Sequence, residues 1–492
     1  MTPPEPRASL NEVASFVDTE HVAKLRRPTD ALHKIVLILL VLAGLWLRLR
    51  VFDQGLWSDE LIAYNDIHDR SLRGLLKILT QGIENSPPLY FLFAWFSAKL
   101  GSDPALLRLP SLVAGTASIP LVYLLGVRTV GRWAGVVAAG FIALSPFAIH
   151  YSVEARPYAL MLLVSTLSAL ALLSALEEGG TGRWAAWGLS LAAIVYTHYT
   201  GAAVVVVEAG WAFWAHPRAR RDVAVACAVA FAAFLPWIPF VKGDRLDVYG
   251  QIAGALGITY PDAAVSWLVG LPFLGPGRVP GVPALALCAA GLAIALIAGP
   301  WRSRPPTLIV ALAVASPAAI LLYSLLSFDL FLFPRNLTAS LPFVALLIGW
   351  ALVRPGWPRA ALPLALVAAG LGIGTFKAEL DRYARPDYPD VAAFIDHVAG
   401  PRDRVVYRGS AVAVYRMRDA LRPYLERRHL VGFGTDPERW IRSRRSGKLV
   451  VVTISPIGAT PAPAARAPRL HEVADREYPG LSATRVTLYR VD

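Results

Sequence analysis

Leu89-Tyr90-Phe91-Leu92-Phe93-Ala94-Trp95-Phe96-Ser97-Ala98-Lys99-Leu100 (LYFLFAWFSAKL) is apolar and aromatic, yet it is only about a dozen residues long. A helix needs about 20 residues to cross the hydrocarbon core of a bilayer. The stretch therefore suits an interfacial or re-entrant helix better than a span. This choice decides the topology. With the segment left out, the short connections carrying Arg128 and Arg132, Arg183, Arg218, Arg220 and Arg221, Arg302 and Arg304, and Arg354 and Arg359 all face the cytoplasm. That is what the positive-inside rule asks. Counted as a span, it moves every one of them outside. Arg48 and Arg50, at the outer end of the first helix, run against the rule and call for a local role or for snorkelling.

Working outward, apolar runs begin at about Ile35–Phe52 and continue at 109–127, 133–149, 158–176, 184–197, 201–215, 223–241, 282–299, 307–326, 337–353 and 360–376. The expectation is a polytopic α-helical membrane protein of about eleven spans with a small C-terminal α/β soluble domain. Composition agrees: of 492 residues, 55% are hydrophobic and only 17% charged, with a mean hydropathy of +0.48. This excludes a disordered chain, a collagen-like chain and a disulfide scaffold. Cys227 and Cys288 sit inside apolar runs and read as buried free thiols. The domains expected are a cytoplasmic tail over 1–34, without the layout of a signal peptide, a transmembrane domain over 35–376 and an external domain over 377–492. Long external loops cover 53–108 and 242–281. The net charge of +13 is not a nucleic-acid signal. Part of it marks cytoplasmic loops, and the tail from Lys377 holds 21 Lys and Arg against 14 Asp and Glu. A solvated surface explains that tail; attraction to anionic headgroups or glycans is the sharper alternative.

In the tail, Tyr388–Val398 reads as an amphipathic helix with Val391, Phe394, Ile395 and Val398 on one side. Arg404–Tyr407, Leu449–Ile454 and Arg485–Val491 read as strands, with helical stretches near 411–428 and 437–445 between them. Pro456–Pro468 is an Ala/Pro loop. No Gly-rich phosphate loop follows a strand, and no Cys/His spacing suits a metal.

Acids are costly near a membrane, so their positions are informative. Asp59 and Glu60 follow Trp57-Ser58 beyond the first helix, and Glu154 lies in the external turn Tyr151-Ser152-Val153-Glu154-Ala155-Arg156-Pro157-Tyr158. Tyr196-Thr197-His198-Tyr199 and Phe333-Pro334-Arg335-Asn336 are two more polar turns on the same side. Four such turns at one end of an apolar bundle look like the lining of one cavity. Group transfer from a lipid carrier suits it. A carboxylate accepts a proton from an attacking hydroxyl, an Arg fork stabilises a leaving phosphate, and an apolar groove takes the lipid tail.

The runs Gly55-Leu56-Trp57-Ser58-Asp59-Glu60, Ser86-Pro87-Pro88-Leu89-Tyr90, Arg108-Leu109-Pro110-Ser111 and the turn from Tyr151 to Tyr158 resemble the GT-C glycosyltransferases, in order and spacing. The likeness is to the bacterial relatives of protein O-mannosyltransferases and of the lipid A aminoarabinose transferase. It covers residues 35 to about 340. The resemblance implies a polyprenyl-phosphate sugar donor, a lipid, glycan or protein acceptor, an external active site in the bacterial plasma membrane, and inversion at the sugar carbon. It places the catalytic base on Asp59 and the second family acid on Glu154. Many members carry His or Lys before the Pro-Pro of the first loop, where this chain has Ser86, and Tyr often follows the late Pro-Arg, where it has Asn336.

On this reading Arg335, Arg156 and His198 are candidates for the donor phosphate, and Glu60, Tyr90, Tyr158 and Tyr199 for acceptor contact or support. The plainer alternatives are an N-cap or solvated acid for Asp59, an ion pair with Arg156 for Glu154, snorkelling for Arg335 and belt aromatics for the tyrosines. A divalent metal on the carboxylates, as in the oligosaccharyltransferase branch, has weak support from two dispersed acids. Gly370, Gly372 and Gly374 suit close helix packing. Rival functions are a secondary transporter, whose polar groups would sit at mid-membrane, and a non-catalytic scaffold.

Overall fold

The computed structural model describes residues 29–81, 84, 86–241, 260–275, 277–300, 303–327, 334–400, 403–408, 420–426, 430–433, 447–464, 466 and 468–492. Helix α1 (Thr29–Leu49) opens the membrane domain. Three short helices follow in the first loop: α2 (Asp59–Ile67), α3 (Leu72–Gln81) and α4 (Pro88–Ser97). Then come α5 (Leu109–Thr129), α6 (Arg132–Leu144), α7 (Pro146–Ser152), α8 (Tyr158–Glu178), α9 (Thr181–Thr197), α10 (Ala202–Ala215) and α11 (Arg220–Phe234). The last group is α12 (Tyr260–Val269), α13 (Val282–Ala298), α14 (Thr307–Ser327), α15 (Leu341–Val353) and α16 (Ala361–Ala378).

Each predicted apolar run coincides with helix. Length separates them further: among the described residues, seven helices are long and apolar enough to cross a membrane, or eight if the bent pair α6–α7 is one span. Helices α9, α10 and α13, of 17, 14 and 17 residues, fall short of that length, so a count of eleven spans is not reached by length alone. The deciding segment is α4, ten residues long, as its length predicted. Its Tyr90, Phe91 and Ala94 are buried, whereas Phe93 and Phe96 are exposed, as are Ile35, Leu39, Leu42 and Trp46 on α1. Such outward apolar rows fit contact with lipid.

Pro146 is the first residue of α7, which meets α6 at 62°. It has no N–H for the carbonyl of Ile142. Arg48, fully buried at the end of α1, donates instead, through Nη2 to Ile142 O at 3.0 Å and through Nη1 to Ala143 O at 3.3 Å. This is the local role of an arginine that contradicts the charge rule. Arg50 pairs with Glu379 at 3.2 Å.

Of the three glycines on α16, two match their expected use. A Cβ on Gly370 would meet Cys288 Sγ and Ala284 O, and one on Gly374 would meet Pro280, but Gly372 faces open space, so its packing role is withdrawn. Cys227 and Cys288 are free thiols, Cys288 buried as expected but Cys227 only partly so.

Beyond α16, helix α17 (Tyr388–Val398) matches its prediction. It covers a five-stranded sheet of order β2-β1-β3-β5-β4, made of β1 (Arg404–Arg408), β2 (Leu430–Phe433), β3 (Gly447–Ile454), β4 (Leu470–Tyr478) and β5 (Thr484–Val491). Strand β1 runs parallel to β2 and β3, while β5 pairs antiparallel with β3 and β4. Strands β2 and β4 were not predicted. Edge strand β4 is largely exposed and carries Glu472, Asp475, Arg476 and Glu477, so it has no apolar face to read. Of the expected helical stretches, 420–426 forms turns, while 411–419, 427–429 and 437–445 lie outside the described residues.

Candidate active site

The four polar turns meet at one end of the bundle. Asp59 is the first residue of α2, and Ser58 before it holds φ at 57°, in the left-handed region. A serine there is uncommon and marks a backbone held by its surroundings. Asp59 and Glu60 thus occupy the first helical turn, where free N–H groups favour negative charge. Arg335 Nη1 lies 2.6 Å from Asp59 Oδ2, joining the first turn to the last. The guanidinium of Arg335 sits over the Tyr158 ring at 5.8 Å, and that ring contacts His198 at 5.7 Å. The second and third turns are thereby included.

Glu60 is the hub beneath this pair. It is fully buried, with Arg108 Nε at 2.7 Å from Oε1 and Nη2 at 2.8 Å from Oε2. The N–H of Ala155 donates to Oε1 at 2.8 Å and that of Trp57 to Oε2 at 3.1 Å. Arg385 Nε stands 3.6 Å from Oε2. Burial works to raise this carboxyl, but Arg108 and Arg385 with the hydrogen bonds bring it down to about 2. Glu60 is therefore a fixed anion that ties the first loop to the turn bearing Glu154.

Glu154 is the opposite case. It is 2% exposed, and its Oε2 has no hydrogen-bond partner. Burial and the Glu60 charge, with Asp59, push its carboxyl up to about 8, against the pull of Arg385 and Arg335. It is a neutral acid at neutral pH. The anticipated ion pair between Glu154 and Arg156 does not form. Arg156 Nη1 binds Glu84 Oε2 at 2.8 Å instead, its Nη2 reaches Ser86 Oγ at 3.4 Å, and the guanidinium lies 5.7 Å from the Phe91 ring. Ser86 supports this pair by donating its N–H to Glu84.

His198 accepts the Thr200 N–H at Nδ1, and burial with the Arg156 and Arg335 charges lowers it to about 3, so it is neutral. Tyr90 is fully buried, donating to Leu107 O at 2.9 Å and accepting from Ser111 at 3.2 Å. It supports the site from behind. Tyr199 accepts from Trp237 Nε1 at 3.0 Å.

Sequence reasoning missed Glu84, Asp66 and Arg385. Glu84, two residues before Ser86, was the one carrying a signal, an acid beside a motif. Arg385 follows the last membrane helix and donates to Val153 O at 2.7 Å and His150 O at 3.4 Å. Its partners are more than two hundred residues away, and no local pattern points to them.

The family described as dolichyl-phosphate-mannose-protein mannosyltransferase matches residues 85–240. ArnT from Cupriavidus metallidurans, solved bound to undecaprenyl phosphate, aligns with 13% identity over 92% of this chain and 97% of its own, at a TM-score of 0.52. The oligosaccharyltransferase of Archaeoglobus fulgidus, in its apo form, aligns with 14% identity over 80% of this chain and 64% of that longer one, at a TM-score of 0.50. The chain has the fold of the GT-C glycosyltransferases. The resemblance read from its motifs is borne out at that level. No curated protein matches by sequence.

Within this GT-C fold, a divalent metal fits poorly. Among the described residues no three His, Cys, Asp or Glu side chains come together as ligands. The acids that would serve are engaged by arginines, Asp59 by Arg335 and Glu60 by Arg108.

Proposed function

We propose that this protein transfers a sugar from a polyprenyl-phosphate carrier to an acceptor hydroxyl, with inversion, at the external face of the bacterial plasma membrane. The observation that carries this is the Asp59–Arg335 pair at 2.6 Å beside the neutral acid Glu154. The donor phosphate competes with Asp59 for Arg335, and its arrival frees the carboxylate. Asp59 then takes the proton of the acceptor hydroxyl. The oxygen bonds to the anomeric carbon, the carbon–oxygen bond to phosphate breaks, and the electron pair leaves with polyprenyl phosphate. Arg335 stabilises the developing charge through a fork suited to phosphate. Glu154, protonated, donates a hydrogen bond rather than adding a second negative charge. The bound undecaprenyl phosphate of the ArnT structure is a carrier of the same chemical kind. A cytoplasmic N-terminus and an external C-terminal domain complete the reading.

Transfer from an undecaprenyl-phosphate-linked sugar by Asp59→Asn tests it. General-base loss lowers the rate by about 10²-fold or more, while bare undecaprenyl phosphate still binds. Near-normal transfer removes Asp59 from the role of base.

A further inference from the structure

Helix α2 carries a second acid, Asp66, seven residues after Asp59 and so on the same face two turns away. At 1.5 Å per residue the two stand about 10 Å apart along the axis. Asp66 is 6% exposed, yet its Oδ2 has no hydrogen-bond partner. Arg156 is 8% exposed, and its Nε likewise has none. Both terminal nitrogens of Arg156 are committed, to Glu84 and Ser86, so its open Nε–H is held in place. Glu84 links the two groups: it pairs with Arg156, and its charge, after burial, is the main influence raising Asp66, to about 6. Arg156 and Arg70 are the cations that oppose it.

An unmet acceptor and an unmet donor inside one buried cluster are each costly to keep dry. The charges narrow what could satisfy both. A phosphate would suit Arg156 but be repelled by Asp66 and Glu84. An ammonium would suit the acids but face Arg156. A hydroxyl donates to the carboxylate and accepts from the guanidinium at once, and a sugar offers hydroxyls side by side. We propose that Asp66, Glu84 and Arg156 form a subsite that binds sugar hydroxyls beside the Asp59–Arg335 pair. This rests on the glycosyl-transfer reading above and adds a recognition element to it.

The hydroxyls belong either to the donor sugar or to a glycan acceptor, and the test separates these sources. Full-length protein in lipid nanodiscs is titrated with undecaprenyl phosphate, undecaprenyl-phosphoryl mannose and undecaprenyl-phosphoryl glucose. The variants are Asp66→Asn and Arg156→Lys, the latter keeping the charge for Glu84 while removing Nε. A donor subsite predicts that both variants lose about tenfold or more in affinity for a sugar-bearing lipid, the effect of one polar contact of about 1.4 kcal/mol. Affinity of Asp66→Asn for the bare lipid stays as it was. An acceptor subsite predicts unchanged lipid affinities and a raised KM for glycan acceptor in both variants. Equal losses for bare and sugar-bearing lipids, or no change in any of these quantities, overturns the proposal and leaves a cluster that holds water. The lipid titrations need no turnover, so their outcome is read separately from that of Asp59→Asn.

Discussion

Glu60 and Glu154, joined through the Ala155 N–H, have opposite states, set by burial and by where the arginines stand. Glu60 has Arg108 and Arg385 against it and stays ionised, whereas Glu154 has no donor on Oε2 and stays neutral. The Glu60 state makes a stability prediction. Its carboxyl is lowered from 4.5 to about 2, so its contribution is fully present above 4.5 and is lost as pH falls through about 2. Breaking a buried pair costs about 3–5 kcal/mol, since the partner charges are left uncompensated. Glu60→Gln is therefore expected to lower the thermal midpoint in detergent strongly at pH 7, and the gap to wild type to narrow at pH 3. A gap equal at both pH values would show that Glu60 acts by packing alone. Arg108 acts on the site through this anchor. It fixes Glu60, and Glu60 fixes the Ala155 N–H between Glu154 and Arg156.

At the scale of elements, the break between α6 and α7 sets the position of the acidic turn. A straight continuation would carry residues 146–152 onward along the α6 axis, whereas the 62° bend turns α7 and the turn after it into the site. The bend leaves carbonyls at the end of α6 without partners, and Arg48 supplies donors for Ile142 and Ala143, with Thr375 donating to Leu144. Arg48→Met keeps most of the packed stem and removes the donors. Each buried unmet carbonyl costs about 1–3 kcal/mol, so this variant is expected to melt well below wild type. Arg50→Ala breaks a pair whose arginine side chain is 50% exposed, and such pairs are worth about 0–1 kcal/mol. Comparing the two midpoints by fluorescence-detected gel filtration checks the ranking; an equal effect would deny Arg48 its capping role. Hydropathy revealed where helices lie, because a bilayer demands long apolar runs. It did not reveal the bend, since 133–149 is apolar but for Ser145 and only Ser145-Pro146 marks the break. It also missed β4, whose exposed charges carry no inward face.

Over the whole molecule, the site is finished by the chain that follows the membrane domain. The catalytic candidates Asp59 and Glu154 and the phosphate-binding candidate Arg335 were legible because acids and arginines are conspicuous at the ends of apolar helices. Which arginine serves which acid was not, because pairings such as Glu60 with Arg385 depend on three-dimensional closure across the chain. Arg385 holds the 150–153 carbonyls, its N–H donates to Gln54, and Tyr424 of the C-terminal domain accepts the Leu56 N–H at 2.7 Å. The soluble domain is thereby tied to both loops that bear the acids. Arg385 also pulls the Glu154 carboxyl down from where burial would put it. If Glu154 works in its protonated form, activity declines on the alkaline side near pH 8, where that carboxyl titrates. Arg385→Gln removes a positive charge, so Glu154 holds its proton more tightly and the alkaline limb moves to higher pH. Arg385→Lys restores the limb toward its original place. Tyr424→Phe loosens the same docking without changing any charge, so it is expected to reduce the rate and leave the limb where it was. A pH–rate profile of the three variants separates the cases: a limb that stays fixed in Arg385→Gln reduces Arg385 to a tether between domains.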